Sequence, residues 1–434
     1  MKFHIITIGC ILNRSESQRM RYLLEREGHE YTDNPEEADI LIINTCTVKT
    51  PSENKTYRLL RDYKDKKIIL TGCLIQHQPE KFESYPLVGI YEIDKIVDAV
   101  KNLLSGKIVK YLEIKRINKL SIPSIDKYPI KIIPIQEGCL WNCAYCATKL
   151  ARSLLQSFPP RDIYLEIRDA VKKNLRMIYF TGTDLAAYGM DLGINLADLL
   201  YGVRGIAGDF YIRVGMANPG IINKFIEKLL DSYDHPRILK FFHIPVQSGS
   251  NRVLKSMGRG YTIEEFYELV KKIRKRYYEA SLATDIIVGY PTETEEDFKK
   301  TLEMIEEIKF DVINLSKFWP RQKTPAFYIK PLKGEIVKDR SRTVKRLFDI
   351  TARDRNKIWI GWEGYCIVED RGRGNSWVCR NYAYKQIIVK NNENLLGKIL
   401  KVRVEDVTAV DLRAKIIDKV EDPYPGILEE KKLY

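Results

Sequence analysis

The segment GCLWNCAYC holds the residues with the clearest chemistry in this 434-residue chain. Cys139, Cys143 and Cys146 follow a C-x₃-C-x₂-C spacing, so one short loop supplies three thiolates. Three thiolates can bind three corners of a [4Fe–4S] cube and leave the fourth iron open to a small ligand. A zinc site normally closes with a fourth Cys or His, and no histidine lies near this loop. The spacing therefore predicts an iron–sulfur centre with one open iron.

A second set of cysteines is spread over the first 73 residues. Cys10, Cys46 and Cys73 each end an apolar, β-branched run, namely FHIITIGC, ADILIINTC and KKIILTGC. The carboxyl ends of parallel strands share one edge of a sheet, so these three side chains can meet in space. Spacing alone leaves a second reading open, because free cysteine also serves as a small buried hydrophobe.

The elements that must position these cysteines indicate an α/β protein with three domains. Strand-like and helix-like segments alternate over residues 1–106, which predicts a parallel sheet, and residues 107–128 read as a linker. Repeated βα units over residues 129–355 predict a partial (β/α) barrel. Short alternating strands punctuated by Gly and Asn over residues 356–425 predict a small antiparallel β-barrel.

Composition narrows the class of protein. Eight cysteines in a chain without a visible secretory signal favour metal or redox chemistry over a disulfide framework. No apolar run is long enough for a membrane span, so we expect a cytoplasmic protein that binds no membrane. The net charge of +14 favours an anionic partner, with nucleic acid ahead of membrane. An ordinary basic surface is the alternative.

The residues around both cysteine sets resemble a known family. The 139–146 loop, with Tyr145 before its last cysteine, resembles radical S-adenosylmethionine (SAM) enzymes. The flanks GCILNRSES, NTCTVKTPSENK and GCLIQHQPE resemble the N-terminal domain of radical SAM methylthiotransferases. Further similarity lies in ATKLAR, RVGMANP, FHIPVQSGS, ATDIIVGYPTETEEDF and FWPRQKTPA. The nearest branch is the archaeal and eukaryotic one that converts threonylcarbamoyladenosine in tRNA, beside the anticodon, to its 2-methylthio derivative.

This resemblance implies two [4Fe–4S] clusters and SAM as cofactors. The Cys139, Cys143 and Cys146 cluster would bind SAM and cleave it reductively, giving a radical that removes hydrogen from adenine C2. The Cys10, Cys46 and Cys73 cluster would carry the sulfur to be inserted, and a second SAM would methylate that sulfur. The implied partners are a tRNA substrate and an electron donor, and we expect a monomer.

The resemblance also nominates residues for the two ligands. Candidate SAM contacts are Tyr145 and polar residues at barrel strand ends, where such barrels carry function: Thr183, Asp184, Arg213, Gln247, Ser248 and Asp285. Each of these could instead satisfy a loop or a cap. The last domain resembles TRAM, an RNA-binding barrel, with these candidate phosphate contacts: Arg371, Arg373, Arg380, Lys385 and Lys390.

Two departures and several alternatives accompany this interpretation. Family members often carry an acidic or amide residue at Thr183 and a glycine at Ser153. A methylthiotransferase for isopentenyladenosine or for a ribosomal-protein aspartate is an alternative, although TVKTP and TGTDLAAYG favour the threonylcarbamoyladenosine branch. A tRNA-binding iron–sulfur redox sensor without turnover is another. Cys366 and Cys379 are interpreted as core packing, and the five histidines show no metal-ligand spacing.

Overall fold

The N-terminal sheet orders the strands that carry the first cysteine set. The computed structural model describes residues 1–420 and residue 428. Six parallel strands lie in the order β2-β1-β3-β4-β5-β6. The strands and helices of this region are β1 (Lys2–Thr7), α1 (Ile11–Arg26), β2 (Glu30–Tyr31), β3 (Ile40–Thr45), α2 (Thr50–Asp62), β4 (Lys67–Gly72), α3 (Cys73–His77), β5 (Leu87–Val88), α4 (Ile96–Leu104) and β6 (Lys110–Tyr111). Strand β3 is buried along its whole length, as expected for a central parallel strand covered on both faces.

The central region is a partial barrel of parallel strands. Its strands form two three-stranded sheets, β11-β10-β7 and β12-β13-β14, and a short antiparallel pair, β8-β9, lies beside them. The elements are β7 (Ile130–Pro134), β8 (Gln136–Glu137), α5 (Ala147–Ala151), β9 (Gln156–Ser157), α6 (Pro160–Lys172), β10 (Met177–Thr181), α7 (Leu196–Val203), β11 (Tyr211–Val214), α8 (Pro219–Ile222), α9 (Ile226–Tyr233), β12 (Phe241–His243), α10 (Asn251–Ser256), α11 (Ile263–Arg276), β13 (Ser281–Val288), α12 (Glu295–Ile308), β14 (Val312–Lys317) and α13 (Gly334–Asn356).

Strand alternation in this barrel separates two environments. Ile178 and Phe180 of β10 belong to the large core that includes the surrounding helices. Tyr179, between them, belongs instead to a second apolar cluster shared with the C-terminal barrel. Successive strand residues point to opposite faces, so Tyr179 lies on the inner face of the partial barrel. The C-terminal barrel therefore packs against that inner face.

The C-terminal domain is a closed five-stranded barrel in the order β15-β16-β17-β19-β18. Its strands are β15 (Glu363–Arg371), β16 (Ser376–Arg380), β17 (Gln386–Lys390), β18 (Ile399–Val407) and β19 (Leu412–Val420). The pairs are antiparallel except β17 with β19, which is parallel. Cys366 and Cys379 are fully buried in its core, which confirms core packing. Residues 421–425 of the predicted domain lie outside the described residues.

The segment predicted as a linker takes part in packing. Residues 107–128 contain β6, which adds the sixth strand to the N-terminal sheet. They also contain Lys119, whose side chain is fully buried between the first two domains. Among the described residues, no helix is both long and apolar enough to cross a membrane.

Candidate active site

The structure brings the three strand-end cysteines to one edge of the N-terminal sheet. Cys10 follows β1, Cys46 follows β3 and Cys73 follows β4, and these strands are neighbours. All three thiols are free, and their exposure falls from Cys10 to the buried Cys73. Burial raises the pKa of Cys73 to about 12; the Arg152 guanidinium opposes this shift, and nearby Cys10 and Cys46 add to it. The set is thus an open-sided group of three thiols.

Two asparagines and a glycine hold this edge together. The Nδ2 of Asn13 donates to the Oδ1 of Asn44 at 2.7 Å, and the Nδ2 of Asn44 donates to the backbone oxygen of Asn13 at 2.9 Å. The Cys10 thiol donates to the Oδ1 of Asn13 at 3.3 Å. Gly72 has φ +95°, and a Cβ there would lie 2.4 Å from the backbone oxygen of Thr45. None of these residues was predicted from the sequence to position the cysteines, although Asn13 and Asn44 lie in the segments that flank Cys10 and Cys46.

The second set lies on the loop between β8 and α5. Burial raises the pKa of Cys139 to about 12, and the charges of Asp184, Cys146 and Cys143 add to the shift, so these groups are close neighbours. The Nη1 of Arg259 donates to the sulfur of Cys143 at 3.3 Å. Arg259 had no place among the predicted site residues, since its contact joins positions 116 residues apart.

Asp184 and Thr183 lie at the carboxyl end of β10, beside this loop. The Oε1 of Gln136 accepts both of their backbone N–H groups at 3.1 Å. The Oδ1 of Asp184 accepts the backbone N–H groups of Asn218 and Ala186. Burial raises the pKa of Asp184 to about 6, and those two donors oppose the shift. The Thr183 hydroxyl is buried without a hydrogen-bond partner among the described residues, which leaves a donor for a bound ligand.

Helix α5 connects the two cysteine sets. It begins directly after Cys146, and its last residue, Ala151, packs with Cys73 of α3 in one apolar cluster. The two sets therefore lie at opposite ends of a single short helix.

A buried network of four charged side chains lies beside that contact. Arg152 bonds Glu16 at 2.8 Å and Glu137 at 3.2 Å, and Lys119 bonds the same two carboxylates at 2.7 and 2.5 Å. Their side chains are at most 2% exposed. Buried charges are costly unless paired, and this network joins α1 of the N-terminal region to the segment from β8 to α5 of the partial barrel. The sequence carries no periodic signal that would have identified it.

A polar cluster of Asp285, His243 and Asn314 lies on the inner face of the barrel. The Oδ1 of Asp285 lies 3.0 Å from the Nε2 of His243 and accepts the Nδ2 of Asn314 at 2.8 Å. Burial alone would raise the pKa of Asp285, but His243, Asn314 and the charge of Lys49 hold it below its ordinary value. Lys49 follows Cys46 by three residues, so the segment after Cys46 comes close enough for its charge to act on Asp285.

The remaining predicted SAM contacts fall in different surroundings. Gln247 has φ +75° and pairs with Ile286 through an isolated bridge beside β13, a strained backbone of the kind found at binding sites. The Ser248 hydroxyl is fully buried and faces the hydroxyl of Thr301 in α12 at 3.4 Å, so it already has a structural partner.

Tyr145 and Arg213 occupy opposite ends of the interior. The Tyr145 ring packs edge-on against Tyr290 beside the cysteine loop. The Arg213 guanidinium lies over the ring of Phe241 at 4.7 Å and near Tyr384 of the C-terminal domain. Arg213 therefore lies at the junction with the C-terminal barrel, whereas Tyr145 packs beside Cys143 and Cys146.

The donor sets fit clusters better than single ions. In the described part of the chain, no group of three His, Cys, Asp or Glu side chains is arranged to hold one metal ion. A [4Fe–4S] cube binds each thiolate on a different iron, so its ligands stand wider apart than those of tetrahedral zinc. Each set offers three free thiols and one open side, which matches the cube with an open iron.

The basic residues predicted to contact RNA divide into two groups. Three are exposed on the C-terminal barrel, namely Arg371, Arg373 and Lys390. Lys385 is buried, and its Nζ lies 2.5 Å from Asp311, so it is a structural ion pair instead of a phosphate contact. Arg380 is paired with Glu369 and is mostly buried. Exposed cations of α13, which lies beside this barrel, add to the basic surface: Lys338, Arg342, Lys345, Arg346 and Arg353.

Comparison with known families agrees with this geometry. Residues 133–305 match the radical SAM superfamily, and residues 2–90 match an uncharacterised family designated UPF0004. Among solved structures, the radical S-adenosylmethionine methyltransferase TsrM from Kitasatospora setae, with tryptophan and a SAM analogue bound, is similar with a TM-score of 0.54. It is 12% identical, and the alignment covers 75% of each chain, so the likeness concerns the fold.

Whole-chain relatives are more informative. A probable threonylcarbamoyladenosine tRNA methylthiotransferase of Pyrococcus horikoshii is 38% identical over 425 residues, covering 96% of this chain and all of the relative. The threonylcarbamoyladenosine tRNA methylthiotransferase of Homo sapiens is 33% identical over 416 residues, covering 93% of this chain and 72% of the relative. The chain therefore belongs to the threonylcarbamoyladenosine tRNA methylthiotransferase family within the radical SAM superfamily.

Proposed function

We propose that this chain is a radical SAM methylthiotransferase that converts threonylcarbamoyladenosine beside the anticodon of tRNA to its 2-methylthio derivative. The observation that carries this proposal is the pair of three-thiol sets at the two ends of α5, in a chain that matches a probable enzyme of that name over 96% of its length. One set alone would suit many radical SAM enzymes. A sulfur-inserting enzyme needs a second site that carries the sulfur, and the second set would provide it.

In this proposal each thiol set holds one [4Fe–4S] cluster. Cys139, Cys143 and Cys146 hold the first, and the strand-end set of Cys10, Cys46 and Cys73 holds the second. When bound, the first cluster and SAM supply the radical that removes hydrogen from adenine C2, and the second supplies the sulfur.

The residues around the clusters position ligands and exclude water. Arg259 compensates negative charge at Cys143, and Asp184, fixed by two backbone donors, offers a carboxylate beside Cys139. Thr183 contributes an unpaired buried hydroxyl, and Tyr145 contributes apolar cover on the other side. We propose Thr183, Asp184, Tyr145 and the strained Gln247 as SAM contacts.

The polar cluster of Asp285, His243 and Asn314 is suited to bind the substrate base. His243 and Asn314 both bond Asp285, which keeps that carboxylate ionised and its partners fixed in orientation. A fixed set of donors and acceptors orients a base without reorganising during the reaction.

Each region of the chain has its own role in this proposal. We propose a sulfur-carrying domain at residues 1–106, a connecting segment at 107–128, a radical SAM domain at 129–355 and a TRAM-like RNA-binding domain at 356–425. Exposed Arg371, Arg373 and Lys390, with the cations of α13, would contact tRNA phosphates. We propose a cytoplasmic monomer that receives electrons from a separate donor.

The test is anaerobic reconstitution followed by tRNA digestion. Iron and sulfide should reach two [4Fe–4S] clusters per chain, and digested tRNA should show the mass increase of a methylthio group on threonylcarbamoyladenosine. A protein that binds tRNA and two clusters but never releases 5′-deoxyadenosine would instead be a redox sensor. Product on isopentenyladenosine alone would contradict the substrate assignment.

A further inference from the structure

We propose that Arg213 binds the carboxylate of the threonyl group on the substrate nucleoside and so selects threonylcarbamoyladenosine over adenosines without that carboxylate. The proposal rests on the proposed function and adds a specificity-determining residue to it. It also gives Arg213 a different ligand from the SAM suggested by its place at a strand end.

Arg213 lies at a cavity between the partial barrel and the C-terminal barrel. The cavity has a volume of about 500 Å³, within the range of sites for small molecules. Its wall combines the inner face of the partial barrel with α13 and with a loop of the C-terminal barrel, represented by Phe241, His243, Asn314, Phe348 and Val410. The cavity therefore reaches the polar cluster of Asp285, His243 and Asn314.

The guanidinium of Arg213 has no anionic partner in the part of the chain that the structure describes. No hydrogen bond or ion pair joins it to any residue that the structure describes, and its Nε is fully buried. Three aromatic rings surround it instead: those of Phe241, Tyr384 and Tyr179, at 4.7, 5.7 and 5.8 Å. Burial lowers the pKa of Arg213, and the charge of the nearby Arg380 lowers it further.

The other cations of the cavity wall are already paired. Lys385 bonds Asp311, Arg380 bonds a glutamate of its own barrel and Lys345 bonds Asp349. Arg213 is thus the one cation on this wall, among described residues, that lacks a carboxylate. A buried unpaired charge is costly unless a ligand supplies the opposite charge.

The substrate carries the negative charge that would pair with Arg213. Threonylcarbamoyladenosine carries a carboxylate on the substituent at N6, and a planar guanidinium binds a carboxylate through two parallel hydrogen bonds. The aromatic rings exclude water from that contact, which strengthens it. The adenine would then lie towards His243 and Asp285. The methionine carboxylate of SAM, in contrast, belongs beside Cys139, Cys143 and Cys146.

The test measures recognition separately from catalysis. Reconstituted wild-type enzyme would be titrated anaerobically with fluorescent anticodon stem-loops carrying threonylcarbamoyladenosine, its methyl ester or unmodified adenosine. We expect the acid to bind about tenfold or more tighter than the ester, as a charge-assisted hydrogen-bonded pair implies. In Arg213→Met this ratio should fall to about one, and Arg213→Lys should keep part of it.

The matched control is Arg204→Met. Arg204 also lies over an aromatic ring, that of Tyr201 at 4.5 Å, but is outside the cavity, so its acid-to-ester ratio should equal that of the wild type. Unchanged Tm and near-UV circular dichroism would show that Arg213→Met and Arg213→Lys are folded.

Several outcomes would overturn the inference. An undiminished acid preference in both Arg213 variants would do so, as would loss of SAM binding in equilibrium dialysis, because the carboxylate bound would then be that of SAM. Product formation by the wild type reports on the proposed function itself. A wild type that forms product but binds acid and ester equally removes only the role of Arg213, whereas one that forms no product removes both.

Discussion

The two cysteine sets reach similar ends by different routes. Cys139, Cys143 and Cys146 come from one eight-residue loop, so local sequence brings them together before the barrel is complete. Cys10, Cys46 and Cys73 are separated by 36 and 27 residues and meet only if β1, β3 and β4 pair in register. The first set should therefore tolerate damage to the fold better than the second. Mutations can test whether the first set depends on its loop and the second on the pairing of β1, β3 and β4.

The largest expected effect comes from removing a ligand of the contiguous set. Cys139→Ala should abolish release of 5′-deoxyadenosine from SAM, because the two remaining thiolates cannot hold the cluster with its open iron. Iron should fall by one cluster per chain while the other remains, measured by iron and sulfide analysis with chromatographic assay of 5′-deoxyadenosine. Retained SAM cleavage would remove the main chemical assignment. Cys379→Ala, in the core of the C-terminal barrel, is the control and should keep both clusters.

Removing a ligand of the strand-end set should break a different step. Cys73→Ala should abolish the methylthio product but leave reductive SAM cleavage in place, since the contiguous loop is intact. Mass spectrometry of digested tRNA and the same 5′-deoxyadenosine assay report the two activities separately. If Cys73→Ala formed full product, the second cluster would have no role in sulfur delivery.

Disrupting the buried charge network tests whether it stabilises the contact between the first two domains. Arg152→Met leaves Glu16 and Glu137 with Lys119 alone, and breaking a buried ion pair costs about 3–5 kcal/mol in the free energy of unfolding. Urea denaturation of the protein without clusters measures this. Arg403→Met, at an exposed pair with Glu363, is the control and should change stability little. Equal effects of the two variants would show that the network does not fix the domain interface.

A smaller effect should come from the glycine before Cys73. Gly72→Ala places a Cβ 2.4 Å from a backbone oxygen at a positive φ, a strain of about 1–3 kcal/mol in the free energy of unfolding. It should also lower iron at the strand-end set, because β3 and β4 must separate slightly.

Gly106→Ala is the matched control for that glycine. Gly106 has φ +75°, but no atom lies within 4 Å of an added Cβ. Gly106→Ala should therefore destabilise the protein but keep both clusters. Loss of iron in both glycine variants would mean that general instability, and not the β3–β4 contact, empties the site.

The sequence by itself determined the parts of this protein whose information is local. The C-x₃-C-x₂-C loop, the strand ends of Cys10, Cys46 and Cys73, the α/β pattern and the small terminal barrel all follow from spacing and periodicity within short windows. The resemblance in the cysteine flanks determined the family, which relatives over nearly the whole chain confirmed.

Only the tertiary structure decided which charged residues are available and which are already paired. Lys385 and Arg213 look alike in sequence, yet one is paired with Asp311, 74 residues away, and the other faces a cavity without a partner among the described residues. The network of Glu16, Lys119 and Arg152 likewise joins residues more than 100 positions apart. Such pairings depend on how whole domains pack, and no local pattern of residues encodes that packing.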